Sequence, residues 1–288
     1  MSKANLIPPY GGKLVNLLVT GQERDELVAR VPNLPSIKIS MRAQCDLELL
    51  ATGGFSPLDR FMDKATYERV LHEMRMDGGT FWPLPITLTA SSDELPGVGS
   101  ELVLRSALND PLAIMKLEEI FSWSQEKEAR LAYGSTDARH PMVSEMGRWG
   151  KVCISGELKV INLPKYYDFV EIRHTPAEVR EMLETMGHEN VVAFQTRNPL
   201  HRIHEELTKR AADRVGGSLL IQPVVGMTKP GDVDHYTRVR IYKALYENSM
   251  TRTARRSVCC RWPCAWLGQK KLCCTLSSVV ITAQTTLS

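Results

Sequence analysis

Along residues 1–165, apolar positions gather in short runs cut by Gly and Pro. Strand-like stretches stand at 84–89 (LPITLT), 101–105 (ELVLR), 112–117 (LAIMKL) and 152–161 (VCISGELKVI). Helical spacing is sparse in this half. The clearest case is Lys64–Met76, where Tyr67, Val70, Leu71 and Met74 recur every three to four residues and predict one helix. The pattern predicts a mainly β domain with small helical inserts.

From about residue 166 the texture changes to alternating helix and strand. Thr175-Pro176-Ala177-Glu178 reads as an N-cap Thr, Pro at the first helical position and Glu at the third, with Gly187 as the stop, so a helix is predicted over 176–186. Residues 190–194 (NVVAF) form a short β-branched run suited to a buried strand. Asn198 is placed to cap a second helix opened by Pro199. Its apolar stripe is Leu200, Ile203, Leu207, Ala211 and Val215, and Gly216-Gly217 end it. Residues 218–225 (SLLIQPVV) supply the next strand. Strand, helix and strand within about 35 residues is the pattern of a crossover joining parallel strands. The chain is therefore read as a mainly β domain over 1–167 and an α/β domain over 168–250.

Charge and cysteine content mark a third region. The net charge is +3, yet residues 248–288 hold no Asp or Glu and six basic residues, Arg252, Arg255, Arg256, Arg261, Lys270 and Lys271. Removing those six leaves −3 for residues 1–247. Five of the seven cysteines (Cys259, Cys260, Cys264, Cys273, Cys274) crowd the same tail, and only Cys45 and Cys153 precede it. Their spacing does not pair two zinc knuckles, and a disulfide scaffold conflicts with the cysteine-poor body. The interleaved Cys, Trp and Val also make a poor nucleic-acid arm, so no nucleic-acid partner is expected. The start lacks a basic region leading into an apolar one, and no apolar run approaches the ~20 residues of a membrane helix. A cytoplasmic protein with no membrane partner is expected, with Cys45 and Cys153 as buried thiols.

In open parallel sheets ligands bind at the carboxyl ends of strands, where helix N-termini point unpaired N–H groups outward. Gln195–His204 occupies that place. Arg197 offers a planar fork suited to an oxyanion, Gln195 a neutral donor, and His201 and His204, three residues apart, two imidazoles on one side of a helix. On spacing alone the two imidazoles fit ordinary surface or core residues as well as a site. Together with Arg197 and the strand end they point to an anion. No third Cys, His or carboxylate follows at a metal-ligating spacing, so no protein-bound metal is expected.

The ten residues QTRNPLHRIH (Gln195–His204) resemble the signature of the sulfate adenylyltransferase (ATP sulfurylase) family. Val224–Asp234 (VVGMTKPGDVD) with the following HYTRVRIYKAL, Arg42–Met62 (RAQCDLELLATGGFSPLDRFM) and Asp77–Leu88 (DGGTFWPLPITL) are similar to other segments of that family, in the same order. The resemblance implies a PUA-like β domain followed by a Rossmann-like α/β nucleotidyltransferase domain of the HxxH type, here incomplete. It implies the conversion of MgATP and sulfate to adenylyl sulfate and pyrophosphate, or the reverse in sulfur oxidation, and a homo-oligomer for the intact family member. Carried over by position, Gln195 and Arg197 would hold sulfate, Gln195, Thr196, Arg197 and Asn198 would line the ATP site, and His201 and His204 would steady the phosphates. Mg2+ would enter with ATP. Asp232 and Asp234 fall in a similar loop and are read as structural.

The tail 251–288 departs from the family, and the genetic code suggests why. Cys259–Gly268, written in one allowed set of codons and read one base earlier, translates as LLPLAMRMAG. Leu272–Ser288 treated alike gives VLHAIIRRNYGANHFI. Both outputs are similar to segments that the family places next. The expectation is a frameshift near residues 247–255 and an inactive copy, because the PLAMRM segment and the later GRDHAG-type motif would be missing as protein.

Overall fold

The computed structural model describes residues 6–187, 190–196, 198–225, 231–248, 258–259 and 262–263. These fall into two compact units, one of residues 13–165 and one that joins residues 6–12 to the described residues from 166 onward.

The first unit contains α1 (Gly21–Arg30), β1 (Ser36–Lys38), α2 (Met41–Thr52), α3 (Lys64–Glu73), β2 (Leu88–Ala90), β3 (Glu101–Arg105), β4 (Pro111–Ser122), α4 (Gln125–Glu128), α5 (Pro141–Met146) and β5 (Val152–Val160). Its sheet runs β1-β3-β4-β5-β2, parallel between β1 and β3 and antiparallel elsewhere. The register slips between Leu117 and Glu119 of β4, opposite Ser155 and Gly156. Gly156 is required there, since a Cβ would stand 1.9 Å from the Lys116 carbonyl oxygen. Leu27, Val31, Val103, Ile114 and Ile161 pack together as one cluster of its core.

This unit is more helical than the hydrophobic pattern predicts. α1, α2 and α3 each run ten residues or more. α2 forms because the Ser40 hydroxyl accepts the Ala43 N–H at 3.1 Å, Ala43, Leu47 and Leu50 turn inward at helical spacing, and Gly53 takes φ 84° to end it. The expected strand at 84–89 pairs only over Leu88–Ala90. Pro83 and Pro85 carry no N–H to donate to a ladder, so that run is buried without pairing, held by the Met62 N–H on the Ile86 carbonyl at 2.9 Å. Helix α3 stops at Glu73, three residues short of the expected end, because Met74 turns to φ 54°. Cys153 is buried as expected and burial pushes its thiol up; Cys45 is only half-buried.

The second unit contains α6 (Pro176–Met186), β6 (Val191–Thr196), α7 (Arg202–Val215), β7 (Ser218–Val225) and α8 (His235–Asn248). Helix α6 has the predicted bounds and its capping box: Glu178 N–H donates to Thr175 Oγ1 at 3.3 Å, and Thr175 N–H to Glu178 Oε2 at 2.7 Å. β6 and β7 pair in parallel from Val191↔Ser218 to Thr196↔Pro223, as the crossover pattern predicts. Val179, Leu183, Val191 and Leu220 pack together with Leu6, and Arg180 donates to the Ile7 carbonyl at 2.7 Å, which ties residues 6 and 7 to this unit. From the tail, β8 (Val258–Cys259) and β9 (Trp262–Pro263) pair in parallel with β7. Among the described residues no helix is long and apolar enough to cross a membrane.

Candidate functional site

The site is built where β6 gives way to α7. Gln195 and Thr196 are the last two residues of β6 and lie in register with Gln222 and Pro223 of β7, at the carboxyl ends of two parallel strands. Beyond them the chain makes a turn and not a helix. Thr196 Oγ1 accepts the Asn198 N–H at 3.0 Å and donates to the Asn198 carbonyl at 3.2 Å, and the Tyr242 hydroxyl of α8 donates to the same carbonyl at 2.6 Å. Leu200 follows as an anchor, buried with Val192, Ala212, Leu219, Ile221 and Tyr242. A short polar segment is thus pinned at both ends.

Helix α7 begins at Arg202 with His201 as its N-cap, which corrects the expectation that Asn198 caps a helix opened by Pro199. The reason is local: the Thr196 side chain has taken the Asn198 N–H into a tight turn, so residues 198–200 are committed before the helix starts. His204 Nδ1 then accepts the His201 N–H at 3.4 Å, in the way a Glu or Gln three residues in would. The rings of His201 and His204 stand 5.8 Å apart, and His204 lies 5.8 Å from the ring of Phe194. The buried face also differs from the expected stripe. Ile203 and Leu207, expected in the apolar stripe, are 78% and 54% exposed, while Thr208 and Ala212 are buried. Thr208 is tolerated inside because its hydroxyl donates to the His204 and Glu205 carbonyls, both at 2.9 Å.

Gln195, Thr196, Asn198, His201 and His204 therefore fall within one strand end, turn and helix start, as the sequence placed them. Arg197 lies outside the described residues. Asp234 caps α8 by accepting the Thr237 N–H at 2.9 Å. Three further residues escaped the sequence reading. Gln222 and Arg238 are buried polar groups of this unit, and Tyr242 holds the turn. Gln222 was visible as a polar residue inside the apolar run of SLLIQPVV; nothing in the sequence marked Tyr242. In the same unit Asp168 bonds Arg173 at 2.6 Å and His235 at 3.3 Å. Burial alone would raise the Asp168 carboxyl, but the Arg173 hydrogen bond and charge outweigh it and hold the group below the usual carboxylate range.

An amide and two imidazoles gathered where helix and strand ends meet suit an oxyanion or a phosphate chain. Comparison with known proteins gives that chemistry a class. Residues 7–163 match the PUA-like domain and residues 170–271 the ATP-sulfurylase domain, so the two units are a PUA-like domain and an ATP-sulfurylase domain in series. The sulfate adenylyltransferase of Phaeosphaeria nodorum is 44% identical over 253 residues, and that of Mycosarcoma maydis 42% over 260, covering 84% and 85% of this chain. The chain belongs to the sulfate adenylyltransferase (ATP-sulfurylase) family. It spans about 44% of the length of the curated relatives it matches. A solved structure titled as a hexameric APS kinase from Thiobacillus denitrificans superposes with a TM-score of 0.77 and 29% identity, covering 97% of this chain and 52% of that one.

Proposed function

We propose that the β6–α7 segment is part of the substrate site of a Rossmann-like nucleotidyltransferase domain of the HxxH type that joins sulfate to the adenylyl group of ATP. A sulfate oxygen attacks the α-phosphorus of MgATP, an S–O–P bridge forms, and the α–β phosphoanhydride bond breaks to release pyrophosphate; the same site serves the reverse direction. Sulfate is a weak nucleophile, so the protein's part is to align it and stabilise charge moving onto the departing phosphates. In this reading Gln195 and Arg197 hold sulfate, Gln195, Thr196, Arg197 and Asn198 line the ATP site, and His201 and His204 donate to the phosphates. Mg2+ enters with ATP, as its chelate.

The observation that carries the proposal is the pinned turn. Thr196, the Asn198 backbone and the Tyr242 hydroxyl fix the strand end, and the two imidazoles start the helix that follows. We further propose that residues 251–288 are an out-of-frame translation and that this chain binds MgATP without forming adenylyl sulfate. That makes a non-catalytic nucleotide-binding remnant the second reading. Calorimetric MgATP binding and adenylyl sulfate formation, measured separately on the 288-residue chain, test both parts: binding without turnover is expected. Turnover would remove the second part, and failure to bind MgATP would remove both. The gene sequence across codons 245–258 tests the frame directly.

A further inference from the structure

The PUA-like unit contains a polar cleft of about 190 Å3 that the proposed adenylyl transfer does not use. It opens over the start of α2, between the end of β2 and the segment before β5, and is lined by Lys38, Ser40, Arg42, Asp46, Thr87 and Trp149. Arg42 is the unusual member. Its side chain is 13% exposed, its guanidinium lies 4.3 Å over the Trp149 ring, and its Nε stands 3.5 Å from Asp46 Oδ2. Its Nε and the facing Asp46 Oδ2 are both sealed from solvent without a hydrogen bond. The Asp46 side chain is 8% exposed and Thr87, also on the cleft, is 5% exposed, with its hydroxyl beside the Cys153 thiol. A permanently charged fork held this deep is stable only with acceptors in front of it.

The charges around the cleft select the acceptor. Lys38 has no carboxylate within 4.0 Å among the described residues, and Arg148, on the same rim, stands 4.0 Å from Glu145. Ser40 Oγ takes the Ala43 N–H, which leaves the first amides of a twelve-residue helix directed out of its positive end. Against these cations stand Asp46, already beside Arg42, Glu94 on the cleft, and Glu128 and Glu145, which also act on Arg42. We propose that this cleft binds a small oxyanion, with Arg42 as its two-pronged anchor and with Lys38, Thr87 and the α2 N-terminus completing the site. Asp46 acts as a positioning residue: it faces the Nε side of the guanidinium and leaves the fork's outer nitrogens for the ligand.

The test is calorimetric titration of the 288-residue chain with sodium sulfate, chloride being exchanged to hold ionic strength constant. The titration is made in an Arg197→Ala background, which removes the charged half of the sulfate contact proposed for Gln195 and Arg197. Saturable binding is expected to persist there. Arg42→Lys, which keeps the charge and removes the fork, is expected to weaken it about tenfold, a loss of ~1.4 kcal/mol. Lys38→Ala combined with Arg148→Ala, both changes at the solvent-facing rim, is expected to weaken it about fivefold. If Arg42→Lys does not fold by circular dichroism, the rim double variant decides alone. Titrations with phosphate and acetate name the source: preference for the tetrahedral ions points to a free inorganic anion, and equal binding of acetate to a carboxylate ligand. Absence of saturable sulfate binding in the Arg197→Ala chain, or binding that the cleft variants leave unchanged, overturns the proposal.

Discussion

In the PUA-like unit Leu47, Leu50 and Phe61 are sealed to 1% exposure or less, whereas α7 of the ATP-sulfurylase unit turns Ile203 and Leu207 outward at 78% and 54%. The difference follows from how each unit closes. The first wraps a five-stranded sheet with long β4–β5 pairing and three helices of ten residues or more. Among the described residues the second rests on β6 and β7, with two-residue strands β8 and β9 also pairing with β7. The same residue type therefore does different work in the two places. Leucine in α2 is core, and leucine in α7 is surface.

Substitutions sharpen that contrast. Leu50→Ala removes a fully buried side chain and should lower the stability of the PUA-like unit by about 2–5 kcal/mol, while Leu207→Ala should stay within about 0.5 kcal/mol. Urea denaturation of the two variants, followed by circular dichroism, gives the comparison; equal costs would erase it.

A smaller effect is expected from Asp46, whose carboxyl burial lifts to about 6 despite the pull of Arg42. The sign is that of a raised acid. A neutral Asp46 stabilises the fold below the unfolded value near 4, and that contribution is lost as pH rises through about 6. Relative to wild type, Asp46→Asn should therefore gain about 2 kcal/mol between pH 4.5 and 7.5, although loss of the partner of Arg42 lowers its stability at both. The buried groups acting on Arg42 from other elements include Glu128, itself pushed up by burial. A flat difference between the two proteins across this range would mean that Asp46 is ionised throughout.

A further, smaller loss is expected in the ATP-sulfurylase unit. Thr175→Ala removes the hydroxyl that caps α6 and should cost about 1 kcal/mol, with Thr175→Ser restoring most of it. Thermal melts that fail to separate the two variants would show that the capping box contributes nothing to this unit.

The same comparison explains what could be seen in the sequence. α6 and β7 were legible almost to the residue because Thr175, Pro176, Glu178 and Gly187 are local signals that act on their own neighbours. The start of α7 was not. Asn198-Pro199 resembles a helix opening, but the outcome depended on Thr196 capturing the Asn198 N–H and on Tyr242, 44 residues away, holding the Asn198 carbonyl. In the PUA-like unit α2 carried its signals in Ser40 and Gly53, yet its apolar residues sit among Arg42, Asp46 and Glu48, which dilutes the stripe. The strand-end location of Gln195–His204 was readable from the order of the elements. The oxyanion cleft was not, because Arg42, Thr87 and Trp149 meet only when three separate segments fold together.

The central claim is that the turn between β6 and α7 receives the phosphates of ATP. The most direct measurement is MgATP affinity, by titration calorimetry, for the 288-residue chain and for its His201→Ala/His204→Ala variant. The account predicts saturable binding to the former and at least about a tenfold loss in the latter, with the folded signal retained. Equal affinity in the two proteins, or no binding by either, would contradict it.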